Sequence, residues 1–251
     1  MTLPFPRAAP GPALRFAVLG ADHDPAALAP TLRLRVAVSE TTGTRVHALA
    51  LRTQIRIEPA RRRYSAAEQR RLVELFGEPE RWGRTLNPVQ LATVSTVTPG
   101  FTAEHTLTLD VPLTADTDLA ATRYFRGLAG PDDPDDPDDP DDRATHRPGA
   151  ATSDGEAPLL LLFSGTVFYE GDTGVQVGLV PWSSEATFHL PVAVWRAMMA
   201  AHHGGTVWIR LPERTAGDLA AWRAARALPS WDQTVAALLA AAEGHGGGRA
   251  P

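Results

Sequence analysis

In the segment GADHDP, Asp22, His23 and Asp24 set two carboxylates around an imidazole, the side-chain types of a metal or acid–base site. Consecutive residues cannot all converge on one ion, and Asp-Pro is a turn dipeptide, so a turn is expected here. His202 and His203 close a helical stretch, where imidazolium complements the helix dipole and a C-terminal cap is expected. Only ligands from elsewhere, such as Glu185 or His189, would make them a site. Asp22, His23, Glu185, His189, His202 and His203 are thus the pool for any polar site assembled by folding. No two histidines stand at His-x-x-x-His spacing, so no bound metal or other cofactor is expected. Ser164, in LFSGTVF, lies inside a strand pattern and lacks the Gly-x-Ser-x-Gly context of a nucleophile elbow. His105 falls on an apolar strand face and reads as a hydrogen-bonded core histidine.

Two absences remove whole classes of chemistry. There is no cysteine, hence no disulfide, no thiolate nucleophile, no thiolate-held iron–sulfur cluster and no cysteine zinc site. There is also no lysine, since all 24 basic residues are arginine, which excludes the Gly-Lys-Ser/Thr phosphate loop and Schiff-base catalysis. Of the 29 acidic residues, eight lie in the repeat PDDPDDPDDPDD from Pro131 to Asp142, leaving 21 against 24 arginines. That nearly neutral body lacks the strongly basic face of a nucleic-acid binder.

The remaining polar and aromatic clusters suit protein contact better than catalysis. Arg61, Arg62 and Arg63, with Arg70 and Arg71, make a local basic patch around Tyr64. In TVWIRLP, alternation assigns Val207, Ile209 and Leu211 to the core face of a short strand and leaves Trp208 and Arg210 on the other. Both residue types are over-represented among interface hot spots. The other late tryptophans, Trp182, Trp195, Trp222 and Trp231, are expected mostly in the core. Proline at every third position stretches the aspartate repeat into polyproline-II geometry, which spreads carboxylates along a rod instead of wrapping them around Ca²⁺. Residues 129–157 therefore read as a disordered loop, and 244–251 as a flexible tail.

The elements that must position these groups are mostly strands. TLRLRVAVS and VHALALRTQIRIE alternate with period 2 around TTGT, FTAEHTLTLDVPL is a third such run, and PLLLLFSGTVFYEGDTGVQVGLVPW reads as two strands around EGDTG. A helix is expected in YSAAEQRRLVELFG, where Ser65 and Glu68 have capping-box spacing and Leu72, Val73 and Phe76 face inward. Further helices are expected in LPVAVWRAMMAAHH, in TAGDLAAWRAARAL from a Thr215/Asp218 box, and in SWDQTVAALLAAA from Ser230/Gln233, burying Val235, Leu238 and Leu239. The pattern is that of an α+β protein: one domain over 1–251, an antiparallel β-sandwich, immunoglobulin-like or similar, with a helical insertion and a C-terminal helical cluster. The prolines in the first 20 residues break any signal-peptide helix, and APLLLLF is far too short to span a bilayer, so a cytoplasmic protein without membrane insertion is expected.

The stretches VPWSSEATFHLPVAVWRAMM, TVWIRLP, LPSWDQTVAALL and PLLLLFSGTVFYE resemble an uncharacterised family of actinobacterial proteins, over most of the chain outside the repeat and the two tails. Members tend to be encoded beside uptake nickel–iron hydrogenase genes. The resemblance implies an accessory role there, with a hydrogenase subunit or maturation factor as partner, and carries no catalytic residue. The expectation is a non-enzymatic protein-interaction module. Its alternative is an enzyme or small-ligand binder whose His/Asp/Glu site forms only in the fold.

Overall fold

The computed structural model describes residues 11–113, 115–128, 155–204, 209 and 211–246. The chain divides into two compact units, Met1–Gly205 and Thr206–Pro251. The aspartate repeat, Trp208 and Arg210 lie outside the described residues.

The first unit contains two antiparallel sheets. One has the order β1 (Leu14–His23), β2 (Thr31–Glu40), β5 (Glu104–Pro112). The other runs β4 (Val89–Thr98), β3 (Val46–Ile57), β6 (Glu156–Gly171), β7 (Gly174–Leu179), with β8 (Glu185–Pro191) also pairing with β6. The 16-residue β6 is long enough to hold β8 along its first half and β7 along its second. Period-2 alternation decides what each sheet buries. Leu32, Leu34, Val36 and Val38 from β2, Leu49, Leu51, Ile55 and Ile57 from β3, and Leu159, Leu161 and Phe163 from β6 meet in one core. Phe16 of β1 stacks on Phe163 of β6, ring centroids 4.2 Å apart, across the two sheets.

Helices close this core. The helix α1 (Ala66–Phe76) starts at the capping box: Ser65 Oγ accepts from the Glu68 N–H while the Glu68 carboxylate accepts from the Ser65 N–H. It buries Leu72 and Phe76. After the short α2 (Trp82–Thr85), α3 (Ala115–Gly127) packs on α1, and α4 (Val192–His203) lies against β1, β2 and β8 with Trp195 and Met198 buried. Strand β4 and helix α3 add to the elements expected from the pattern. Glu156 and Ala157, assigned above to the loop, open β6 instead.

The second unit holds α5 (Glu213–Ala225) and α6 (Trp231–Gly246). Three expectations fail in it. Ile209 and Leu211 form no strand and are 70% and 43% exposed, so the core face proposed for TVWIRLP does not exist at these positions. Helix α5 begins after Pro212, which is tolerated ahead of a first turn, so Thr215 lies inside the helix and caps nothing. On α6 the Ser230 cap does form, Gln233 N–H to Ser230 Oγ at 3.1 Å, but Thr234 is the buried residue while Val235 and Leu239 stand 46% and 61% exposed. The late tryptophans are mostly outside the core as well: Trp195 is buried, Trp182 and Trp231 are exposed, and Trp222 is covered on one face by the Arg226 guanidinium. Among the described residues no helix is long and apolar enough to cross a membrane.

Candidate functional site

The pool of polar residues does not converge. Asp22 and His23 are the last residues of β1, and the Asp22 carboxylate turns back to accept from the His23 N–H at 2.7 Å. Asp24 begins the turn, taking the Ala26 N–H on Oδ1 and the Arg33 guanidinium on Oδ2. His202 lies across the β1–β2 connection, its Nδ1 3.0 Å from the Met198 carbonyl and its Nε2 3.0 Å from that of Ala27, which fastens α4 to the sheet. His203 ends the same helix. Glu185 and His189 share one face of β8 four residues apart, about 13 Å along a strand. His189 instead has Glu156 as its neighbour, at 3.6 Å. Among the described residues no three His, Asp or Glu side chains are grouped so as to hold a metal.

What does assemble is a buried polar centre that sequence spacing hinted at only through Ser65 and Glu68. Arg62 was expected on a solvent-facing basic patch, but its side chain is 2% exposed and that of Glu68 3%. Two parallel bonds of 2.7 Å join Arg62 Nη1 and Nη2 to the Glu68 carboxylate. Arg62 Nε donates to the Glu156 carbonyl at 2.9 Å, tying the start of α1 to β6. Beside them Tyr64 donates its hydroxyl proton to the Pro59 carbonyl at 2.8 Å, so the Tyr124 hydroxyl, 3.0 Å away, is the donor to Tyr64. Burial opposes the Arg62 charge, but the hydrogen bond and charge of Glu68 outweigh it and hold the guanidinium above its ordinary pKa. Burial pushes the Tyr124 phenol up to about 12 and the Tyr64 phenol beyond the ordinary range. Both phenols stay protonated near neutral pH, and the hydrogen bonds of this centre link the start of α1 to β6 and to α3. Arg61 and Arg63 flank it in solvent.

A cavity of about 410 Å³ opens where Arg45, Val46 and His47 meet Gly100, Phe101 and Thr102. Its floor is the reciprocal backbone pair of Val46 and Phe101, at 3.0 and 2.9 Å, and Gly100 leaves no room for a Cβ beneath the Val46 and His47 carbonyls. The lining brings one guanidinium and one imidazole and no carboxylate, which suits the charge of an anion but supplies no acid–base pair.

The most unusual surface is the outer face of the larger sheet. Cross-strand register places Val97, Ala50, Thr166 and Leu179 in one row and Ala48, Phe168 and Val177 in the next, with Val175 opposite Glu170 beyond them. Val97, Phe168, Val175, Val177 and Leu179 are 71, 36, 63, 61 and 80% exposed. Sequence reading gave a strand here but no facing, because the alternation of V-Q-V-G-L in β7 is equally that of a strand with its valines and leucine inward. The register sets them outward. Val167 and Tyr169 of β6 are buried opposite Gly178 and Gln176, and a Cβ on Gly178 would sit in ordinary contact, 3.4 Å, with both of them. Apolar residues on both faces of β6 near its end were the available signal.

Comparison with other proteins adds family membership and little else. No curated protein matches the chain. Among solved structures, a protein designated ApaA from Bordetella pertussis is 12% identical, with 72% of this chain and 94% of that one covered and a TM-score of 0.26. The β-glucosidase 3B of Thermotoga neapolitana, solved with α-D-glucose, is 10% identical over 70% of this chain and 17% of its own, with a TM-score of 0.23. A family profile, in contrast, matches residues 11–134 and 144–246, passing over only part of the aspartate repeat between them. The chain therefore belongs to a family of unknown function (DUF6084).

Proposed function

We propose that this chain is a non-enzymatic protein-interaction module whose contact surface is the outer face of the β4–β3–β6–β7 sheet. The observation that carries the reading is the set of exposed apolar side chains on β4, β6 and β7, Val97 to Leu179, with half-buried Ala48 and Ala50 of β3 between them, since large exposed apolar patches mark interaction sites. The scatter of the titratable pool supports binding over catalysis. A cytoplasmic accessory role toward an uptake nickel–iron hydrogenase remains part of the proposal, and makes a hydrogenase subunit or maturation factor the partner to test first.

Strand order supports the immunoglobulin-like reading of the sandwich. With β1, β2 and β5 as strands A, B and E, and β4, β3, β6 and β7 as C′, C, F and G, the B–E and C–F–G neighbours of that architecture recur. Among the described residues strand D has no counterpart beside β5, and β8 is additional.

The experiment is capture of tagged wild-type chain and a Val97→Arg variant from the native host. Hydrogenase subunits enriched by the wild type and lost with Val97→Arg are the expected result. Equal recovery by both would overturn the assigned surface, and absence of hydrogenase components from both would overturn the assigned partner.

A further inference from the structure

We infer that β7 is a self-association edge, through which a second copy of this chain pairs antiparallel to it about a two-fold axis at Val177. The inference does not rest on the proposed hydrogenase partner, because edge pairing leaves Val97 and Phe168 open.

The backbone carries the argument. The Val180 N–H donates to the Gly165 carbonyl, which makes Gly165 and Val180 a hydrogen-bonded pair of the β6–β7 ladder. Antiparallel ladders alternate such pairs with non-bonded ones, so Gly178 and Gln176 also bond inward to Val167 and Tyr169. Val175, Val177 and Leu179 are then the residues whose N–H and C=O groups point away from β6, toward an edge that no strand among the described residues occupies. These same three residues carry the exposed apolar side chains.

That edge is complementary to itself. With Val177 opposite its own counterpart, Val175 falls opposite Leu179 of the partner subunit, every outward N–H meets an outward C=O, and all six apolar side chains lie on one sheet face. An isologous interface requires this reciprocity. Strand β7, GVQVGL, carries none of the charges, prolines or bulges by which exposed edges are protected. Electrostatics permit the pairing: the acidic turns around Asp172 end at opposite limits of the joined strands, roughly 30 Å apart and beyond the screening length. Each turn instead approaches the partner's Trp182, which is 92% exposed. Val175, Val177, Leu179 and Trp182, all exposed, supply the apolar side chains that this pairing sets next to one another.

Sedimentation equilibrium of the full chain over a concentration series tests this, beside Val177→Arg and Val97→Arg. A monomer–dimer equilibrium is expected, weakened at least about tenfold by Val177→Arg, which sets like charges against each other at the axis, and unchanged by Val97→Arg. Because the chain has no cysteine, single-cysteine variants read the register directly. Val177→Cys should oxidise to a covalent dimer, since facing residues of a hydrogen-bonded pair have Cα atoms about 5.5 Å apart, within disulfide reach. Val175→Cys should not, its counterpart lying about 13 Å away. A chain that stays monomeric throughout, a dimer indifferent to Val177→Arg, or cross-linking of Val175→Cys as fast as Val177→Cys would each overturn the inference. So would a monomer whose β7 instead takes up a strand from another protein.

Discussion

Around Arg62 a charge is buried, while along β7 valines and a leucine stand in solvent, and the two neighbourhoods reverse the usual partition for opposite reasons. The guanidinium is tolerated because its partner lies six residues on, in the first turn of a helix whose capping box also holds the carboxylate. Glu68 neutralises the buried charge locally, and the Glu156 carbonyl takes the remaining Nε proton. The apolar face of β7 is open because register sets Gly178 and Gln176 opposite the buried Val167 and Tyr169, which leaves Val175, Val177 and Leu179 on the outer face. The first arrangement closes on itself, whereas the second is completed only by another surface.

The comparison breaks most decisively at Glu68. Glu68→Ala should destabilise the fold by about 3–5 kcal/mol in denaturant unfolding, because it strands the Arg62 charge in the interior. The double change Arg62→Met with Glu68→Leu should recover most of that loss, since replacing a buried pair by apolar side chains is often close to neutral. A double variant as unstable as Glu68→Ala would show that the bonds to Glu156 and the Ser65 cap, and not the uncompensated charge, set the cost.

Thr53 sharpens the contrast from inside the sheet. Its hydroxyl is fully buried between Val94 and Phe163 with no hydrogen-bond partner among the described residues, unlike the satisfied groups of Arg62. Thr53→Val keeps the shape and removes the orphaned group, so melting experiments should show a gain of about 1 kcal/mol.

Glu40 tests whether a second carboxylate is held by local bonds as Glu68 is. Burial acts to raise its pKa, but the Thr42 hydroxyl and the N–H groups of Thr42, Ala13 and Thr44 outweigh that and hold it below the ordinary value of 4.5. A lowered folded pKa means stability that is complete above the ordinary value and lost as pH falls through the folded one. Glu40→Gln should thus cost roughly 1 kcal/mol at neutral pH, allowing for solvent screening, and the gap to wild type should close below pH 4.5. A gap constant down to acid pH would assign the loss to shape and not to charge.

The smallest effect belongs to the open face. Val97→Arg should shift unfolding by no more than about 0.5 kcal/mol, because a side chain 71% exposed gives up little on substitution. A larger loss would mean that the face is covered in solution.

The sequence by itself determined the α+β class, the alternating strands β2, β3, β5 and β6, and the helix α1 with its Ser65–Glu68 cap. These follow from period and capping, which are set within a few residues. The cysteine- and lysine-free composition likewise removed whole reaction classes without reference to any fold. Only tertiary structure decided that Arg62 is interior, that the six-residue polar pool stays dispersed, and that the alternation of β7 points outward. Alternation says that a strand has two unlike faces but not which one meets the core. That choice depends on the register with the neighbouring strand, here Val167 opposite Gly178 and Tyr169 opposite Gln176, and pairing between residues brought together by folding leaves no periodic mark in the chain.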